Sequence, residues 1–190
     1  MFRIMYVAIL AIGISMSAAS SPVRGDDLAD VFPRAREMVA RHLSSAELKS
    51  AYGTPAFTAQ GNRIGDVFLN FCGQGRDGAW MLMSLTVHPD GTVTGENEPG
   101  NPRPDNWGHY LKPSIDLVAW PAPEESVQSA VSLHAEHQPV DGVSMAYFVS
   151  GKHHGRAVLV LYWLRDKVIY DVVTDAKYGS LISTGETQVP

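Results

Sequence analysis

Cysteine is almost absent from this chain: Cys72 stands alone among 190 residues. No intramolecular disulfide can form, so the fold must be held by its own core. A domain of roughly 170 residues buries about two thirds of its unfolded surface and needs no such staple. A basic stripe is missing as well. Fifteen Lys and Arg are interspersed with 20 Asp and Glu, for a formal charge of −5. That pattern argues against nucleic-acid binding, and no basic amphipathic helix points to a membrane surface. Beyond residue 20 no run approaches the ~20 apolar residues that a membrane-spanning helix needs. No internal repeat is visible.

What is present begins at the N-terminus. Met1-Phe2-Arg3 makes a short positive start, Ile4 to Met16 is apolar, and Ser17-Ala18-Ala19 supplies small residues. This is the pattern of a secretory signal peptide over residues 1–19, too short to be a stable span. Residues 20–29 read as a short leader and 30–190 as a single α+β domain. No cysteine follows the apolar stretch, so lipid attachment at a mature N-terminus is not expected. The expected location is the periplasm or the medium, without a membrane anchor.

Asp26 to Gly53 reads as helical. Leu28, Val31, Phe32, Ala35, Met38, Val39, His42 and Leu43 recur at spacings of three and four. Pro33 fits if the helix starts near Asp30. Ser44-Ser45-Ala46-Glu47 matches a capping box and predicts a second short helix, ended by Gly53 and Pro55. From Ile64 the period becomes two. Ala79 to Val87 suits a buried strand or a short helix, and the His88-Pro89-Asp90-Gly91 turn favours a hairpin. Ile115 to Trp120 is a candidate strand. Alternation over Val127, Ser129, Val131, Leu133 and Ala135 favours a strand, with a helix after Pro123 as the alternative. Val143–Val149, Ala157–Leu164 and Val168–Val173 complete an antiparallel meander. The fold class is therefore α+β, an N-terminal helical segment packed on a curved antiparallel sheet. This element order resembles the cystatin-like and NTF2-like groups, a likeness of architecture that implies no activity.

Several motifs compete for a functional role. Gly73-Gln74-Gly75-Arg76-Asp77-Gly78 spells a dinucleotide fingerprint, but no βαβ unit surrounds it, so it reads as a glycine-rich hairpin turn. Gly142-Val143-Ser144-Met145-Ala146 approaches a nucleophile elbow, yet the serine opens a strand instead of a strand-to-helix turn. His134 and His137 with His153-His154 offer imidazoles that suit zinc, copper or nickel. A three-residue step puts two rings on one face only in a helix, and nothing fixes a ligand geometry, so surface histidines are the plainer reading. Cys72 ends an apolar strand and reads as a buried, inert thiol more than a nucleophile. Trp80, Trp120, Tyr147, Phe148, Tyr162, Trp163 and Tyr170 read as core, or as the wall of an apolar pocket.

The stretch 97–110 is the leading candidate. It sets Arg103, Asp105, Trp107, His109 and Tyr110 among prolines, which restrict the free chain. Trp, Tyr and Arg dominate binding hot spots, and long loops on rigid sheets carry function. The plain alternative is a connection whose Trp107 folds onto the core. The sequence thus predicts an exported, non-catalytic protein that binds a protein or envelope component, inhibitor- or immunity-like, through this loop. The alternative is a carrier for a small apolar ligand, with Met81, Met83 and Met145 lining a pocket between helix and sheet. A histidine-based metal enzyme is weaker still. No cofactor or metal is implied.

Overall fold

The computed structural model describes residues 28–95, 114–117 and 123–190. The chain runs α1 (Leu28–Ala40), β1 (Ser44–Phe57), β2 (Val67–Gln74), β3 (Trp80–Val87) and β4 (Val93–Gly95). It continues as α2 (Pro123–Leu133), a 3-10 turn (Ala135–His137), β5 (Val143–Ser150), β6 (Arg156–Arg165), β7 (Val168–Asp175) and β8 (Leu181–Gln188). The eight strands form one antiparallel sheet in the order β4-β3-β2-β1-β5-β6-β7-β8. Every neighbour except β1–β5 is consecutive in sequence, so the sheet is two meanders joined at β1. The α+β class and the antiparallel sheet are as expected, and a second helix is added.

Alternation divides each strand between two faces. Leu69 and Phe71 of β2, Met83 and Leu85 of β3, Met145 and Tyr147 of β5, and Leu159 and Leu161 of β6 enter one buried cluster. The same cluster takes Leu28, Val31, Phe32, Ala35 and Val39 from α1 and Val127, Ala130 and Val131 from α2. Both helices therefore cover the same face of the sheet. Phe32 stacks on Phe71 with ring centroids 6.1 Å apart, fixing α1 over the centre. Each such fully buried Val, Leu or Phe contributes about 1.5–3 kcal/mol. Pro33 lies inside α1, which starts at Leu28 and not near Asp30, so the ring sits in the second turn.

Two expectations are overturned. Ser44 to Gly53, read as a second short helix with its own capping box, belongs to β1 (Ser44–Phe57), a central strand. Against β2 it carries register shifts between Ser44 and Glu47 and between Leu48 and Ser50. The second bulge puts the core residues Leu48 and Ala51 three apart, which imitates helical spacing. Residues 127–135, where alternation favoured a strand, lie instead in α2 and the 3-10 turn, the helix after Pro123 that stood as the alternative. Pro123 opens α2 with Glu124 and Glu125 in its first turn, where the missing proline amide costs nothing and acidic groups meet the helix dipole. The buried residues are Pro123, Val127, Ala130 and Val131, a helical stripe, while Leu133 is exposed. Ile115 and Leu117 are buried in the core without joining a strand; Trp120 lies outside the described residues.

Local geometry explains two connections. Gly91 turns the β3–β4 hairpin at φ 82°, and its amide donates to the His88 carbonyl at 2.9 Å. Where β1 ends beside the start of β2, a Cβ on Gly65 would lie 1.9 Å from the Pro55 carbonyl oxygen, so only glycine fits.

Candidate functional site

The motifs singled out from sequence fall in separate places. Gly73, Gly75 and Gly78 belong to the β2–β3 hairpin, where the Gly78 amide donates to the Gly75 carbonyl at 3.0 Å and Gly78 takes φ 79°. The strand context that a dinucleotide site needs is absent there: β2 pairs directly with an antiparallel β3. Ser144 lies within β5, opposite Tyr162 of β6, and is buried. It is a strand serine, not the tip of an elbow.

His134 and His137 do share a face, because their segment is helical after all. His137 stacks on Tyr170 (4.7 Å between centroids), and His134 meets Trp163 and Tyr170 edge-on at 5.5 and 5.4 Å. The Trp163 Nε1 donates to the His137 carbonyl at 2.7 Å. These rings thus pack the end of α2 onto the sheet. His153 and His154 occupy the β5–β6 turn at the opposite end of β6. Arg156 and Trp163 mark those two ends, and seven strand residues span roughly 23 Å, too far for one ion to collect both pairs. Among the described residues, no group of three metal-ligating side chains converges.

Cys72 is 1 % exposed. Burial pushes its thiol above the ordinary value, and the nearby Lys49 cation only partly opposes this. Met83 and Met145, proposed as pocket lining, are core residues, and Met81 packs against them. The aromatic set divides: Tyr147, Trp163 and Tyr170 are core, whereas Trp80 is 43 % exposed.

The face that bears no helix among the described residues has its own character. Its strands bring Phe68 of β2 opposite Tyr52 of β1, with rings stacked at 5.1 Å, and Tyr52 opposite Ala146 of β5. The next row sets Ser84, Asn70, Ser50 and Phe148 side by side. There the Ser84 hydroxyl donates to Asn70 Oδ1 (2.7 Å), and Asn70 Nδ2 donates to Ser50 Oγ (2.9 Å). The face is therefore a half-exposed surface of aromatic rings edged by a satisfied polar row. That composition suits contact with a partner.

At the β4 edge of this sheet sits an arrangement with no sequence signature. His88 Nδ1 lies 2.8 Å from Asp66 Oδ1, and His88 Nε2 lies 2.8 Å from Thr94 Oγ1. A carboxylate only accepts, so Nδ1 carries the proton and donates to Asp66, leaving Nε2 to face the hydroxyl. Connectivity alone is that of an orienter, a base and a hydroxyl nucleophile. The three groups join the start of β2, the end of β3 and the short β4, and the imidazole is one third exposed. We read this row as a clasp on the edge strand.

Arg103, Asp105, Trp107, His109 and Tyr110 lie outside the described residues. Their mounting points do not. Gly95 pairs with Leu85 at the sheet edge, and the Ile115 amide donates to the Leu48 carbonyl of β1 at 2.9 Å. The β1 bulge frees that carbonyl from the ladder. Three strand spacings across the sheet and three residues along β1 separate the two points, roughly 18 Å. Residues 96–113 could extend about 60 Å, several times what the gap requires.

No protein-family profile matches the chain, and neither does any curated protein. Among solved structures, it is similar to a protein from Clostridium difficile 630 provisionally described as a lipoprotein. The two superpose with a TM-score of 0.57 at 12% identity, over 85% of this chain and 93% of the other. That likeness shows a shared fold. Among the described residues, no helix is long and apolar enough to cross a membrane.

Proposed function

We propose that the chain is an exported binding protein that performs no chemistry of its own. It recognises a protein or envelope component through the 97–110 loop, in the manner of an inhibitor or immunity protein. The observation that carries this reading is the mounting of that loop. Both ends are anchored in the sheet, at Gly95 and Ile115, with far more chain between them than the gap needs. A rigid frame flanking a long segment that carries Arg103, Trp107 and Tyr110 is a suitable mount for binding groups. The face that bears no helix among the described residues, with Tyr52, Phe68 and Phe148, offers further area. The signal-peptide pattern and a fold neighbour described as a lipoprotein both support an envelope or extracellular location. Lipidation itself is not carried over, because Cys72 is buried in β2.

The test compares the native chain with Trp107→Ala and Arg103→Ala, each isolated gently from its own envelope fraction and weighed by native mass spectrometry. The native chain should retain a bound protein. Each variant should lose it, with affinity weakened about 30-fold for a hot spot of ~2 kcal/mol. Melting temperatures should stay together. If both variants instead melt far below the native chain, the loop is part of the fold and this reading fails.

A further inference from the structure

The β5–β6 and β7–β8 turns lie side by side at one end of the sheet. Val158 pairs with Asp175, and the Ala176 amide donates to the Ala157 carbonyl at 3.0 Å. Between the turns opens a cleft of about 420 Å³, lined by Arg156, Asp175, Lys177, Tyr178 and Ser180. Charge there runs against the rest of the molecule. The chain is formally −5, yet these two turns collect Lys152, Arg156 and Lys177 with Asp175 as their carboxylate. Among the described residues, none of the three cations is within ion-pair distance of an acid.

Asp175 offsets one of the three cations, so the two turns keep a net charge of +2. It is nearly buried, and its Oδ1 accepts the backbone amides of Lys177 (2.9 Å) and Tyr178 (3.0 Å). The carboxylate thereby fixes the turn and turns the Lys177 and Tyr178 side chains outward. Tyr178 is 74 % exposed, and the Lys177 ammonium lies 5.2 Å from its ring centroid. An acidic protein that gathers permanent cations around a concave, hydroxyl-bearing site has built a place for an anion.

We propose that this cleft binds a small phosphate-bearing anion. Arg156 supplies a planar fork that matches two phosphate oxygens, Lys177 a point charge and Ser180 a hydroxyl. A phosphomonoester carries about −1.5 to −2 charges and three acceptor oxygens, which matches the net +2 of the two turns. A carboxylate, with one charge and two oxygens, leaves half of that charge unmatched. The site is independent of the 97–110 loop and stands or falls separately.

The experiment follows backbone amides of the mature chain by NMR while inorganic phosphate replaces chloride at constant ionic strength. A second arm measures sedimentation with phosphatidylcholine vesicles, with and without phosphatidic acid. Saturable shifts confined to residues 152–157 and 175–181 are expected. Arg156→Gln with Lys177→Gln should weaken them at least tenfold. Both side chains are exposed, so the melting temperature should not move, and Lys177→Gln alone serves if the double variant folds poorly. A response to free phosphate without vesicle binding assigns a soluble ligand. Binding to phosphatidic acid vesicles that the same variants abolish assigns a lipid headgroup. Shifts that stay linear in phosphate, spread over the surface or persist in the variants, with no variant-sensitive vesicle binding, overturn the site.

Discussion

Cys72 shows how completely environment decides the role of a side chain. Its neighbour in register is Glu47, and the bulge residue Lys49, itself buried, pairs with Glu47 beside it. The cation favours thiolate, but desolvation outweighs it, and the thiol is pushed up. Thiolate is the reactive form, so a disulfide reagent should leave the native chain untouched near neutral pH and react fully once denaturant is added. Rapid reaction in the native state would mean the strand opens. Linkage sets a second expectation. The folded thiol holds its proton above the unfolded value of about 8.5, so its contribution is intact below that pH and is lost as pH rises through the folded value. The melting temperature of the native chain should therefore fall more steeply above pH ~8.5 than that of Cys72→Ala.

Among the described residues β4 has three residues and one neighbour, so that ladder alone holds it weakly. The Asp66–His88–Thr94 row supplies the missing attachment, and His88→Ala should remove it at a cost of about 1 kcal/mol for two partly exposed hydrogen bonds. Hydrogen exchange gives the sharper readout. The β4 amides should exchange faster while the β2–β3 ladder keeps its protection, and unchanged β4 protection would show that the ladder suffices. The row was illegible in the sequence because its members lie 22 and 6 residues apart and meet only through strand register. The same holds for the basic cleft, made by two turns whose adjacency follows from β6–β7 pairing. Hairpins were legible, because a turn such as His88 to Gly91 and a change of period are local signals. β1 was not: its bulges replaced a period of two with a spacing of three. For α2, alternating small and apolar residues obscured a stripe that Pro123, Glu124 and Glu125 announced at its start. The 97–110 stretch stood out by composition alone and lies outside the described residues, and the attachments that flank it needed the fold.

At the scale of the whole molecule, the sheet is shared with a protein only 12% identical. One fold can be reached by many sequences and can host many roles, so the likeness is silent on ligand and partner. Among the described residues, the core begins with Leu28, at 3 % exposure. The segment from Ile4 to Met16 should act as the apolar centre of a cleavable signal, and its hydrophobicity is the property the export machinery reads. Leu10→Arg places a charge at the middle of that segment, where insertion costs about 2.5–3.5 kcal/mol. In fractionated cells the native chain should be found outside the cytoplasm, and intact mass should show it shortened by the first 19 residues. The Leu10→Arg chain should stay in the cytoplasm at full mass with the same folded core. If the native chain itself keeps Met1 to Ala19 and remains in the cytoplasm, export is wrong, and with it the envelope partner that the 97–110 loop is proposed to meet.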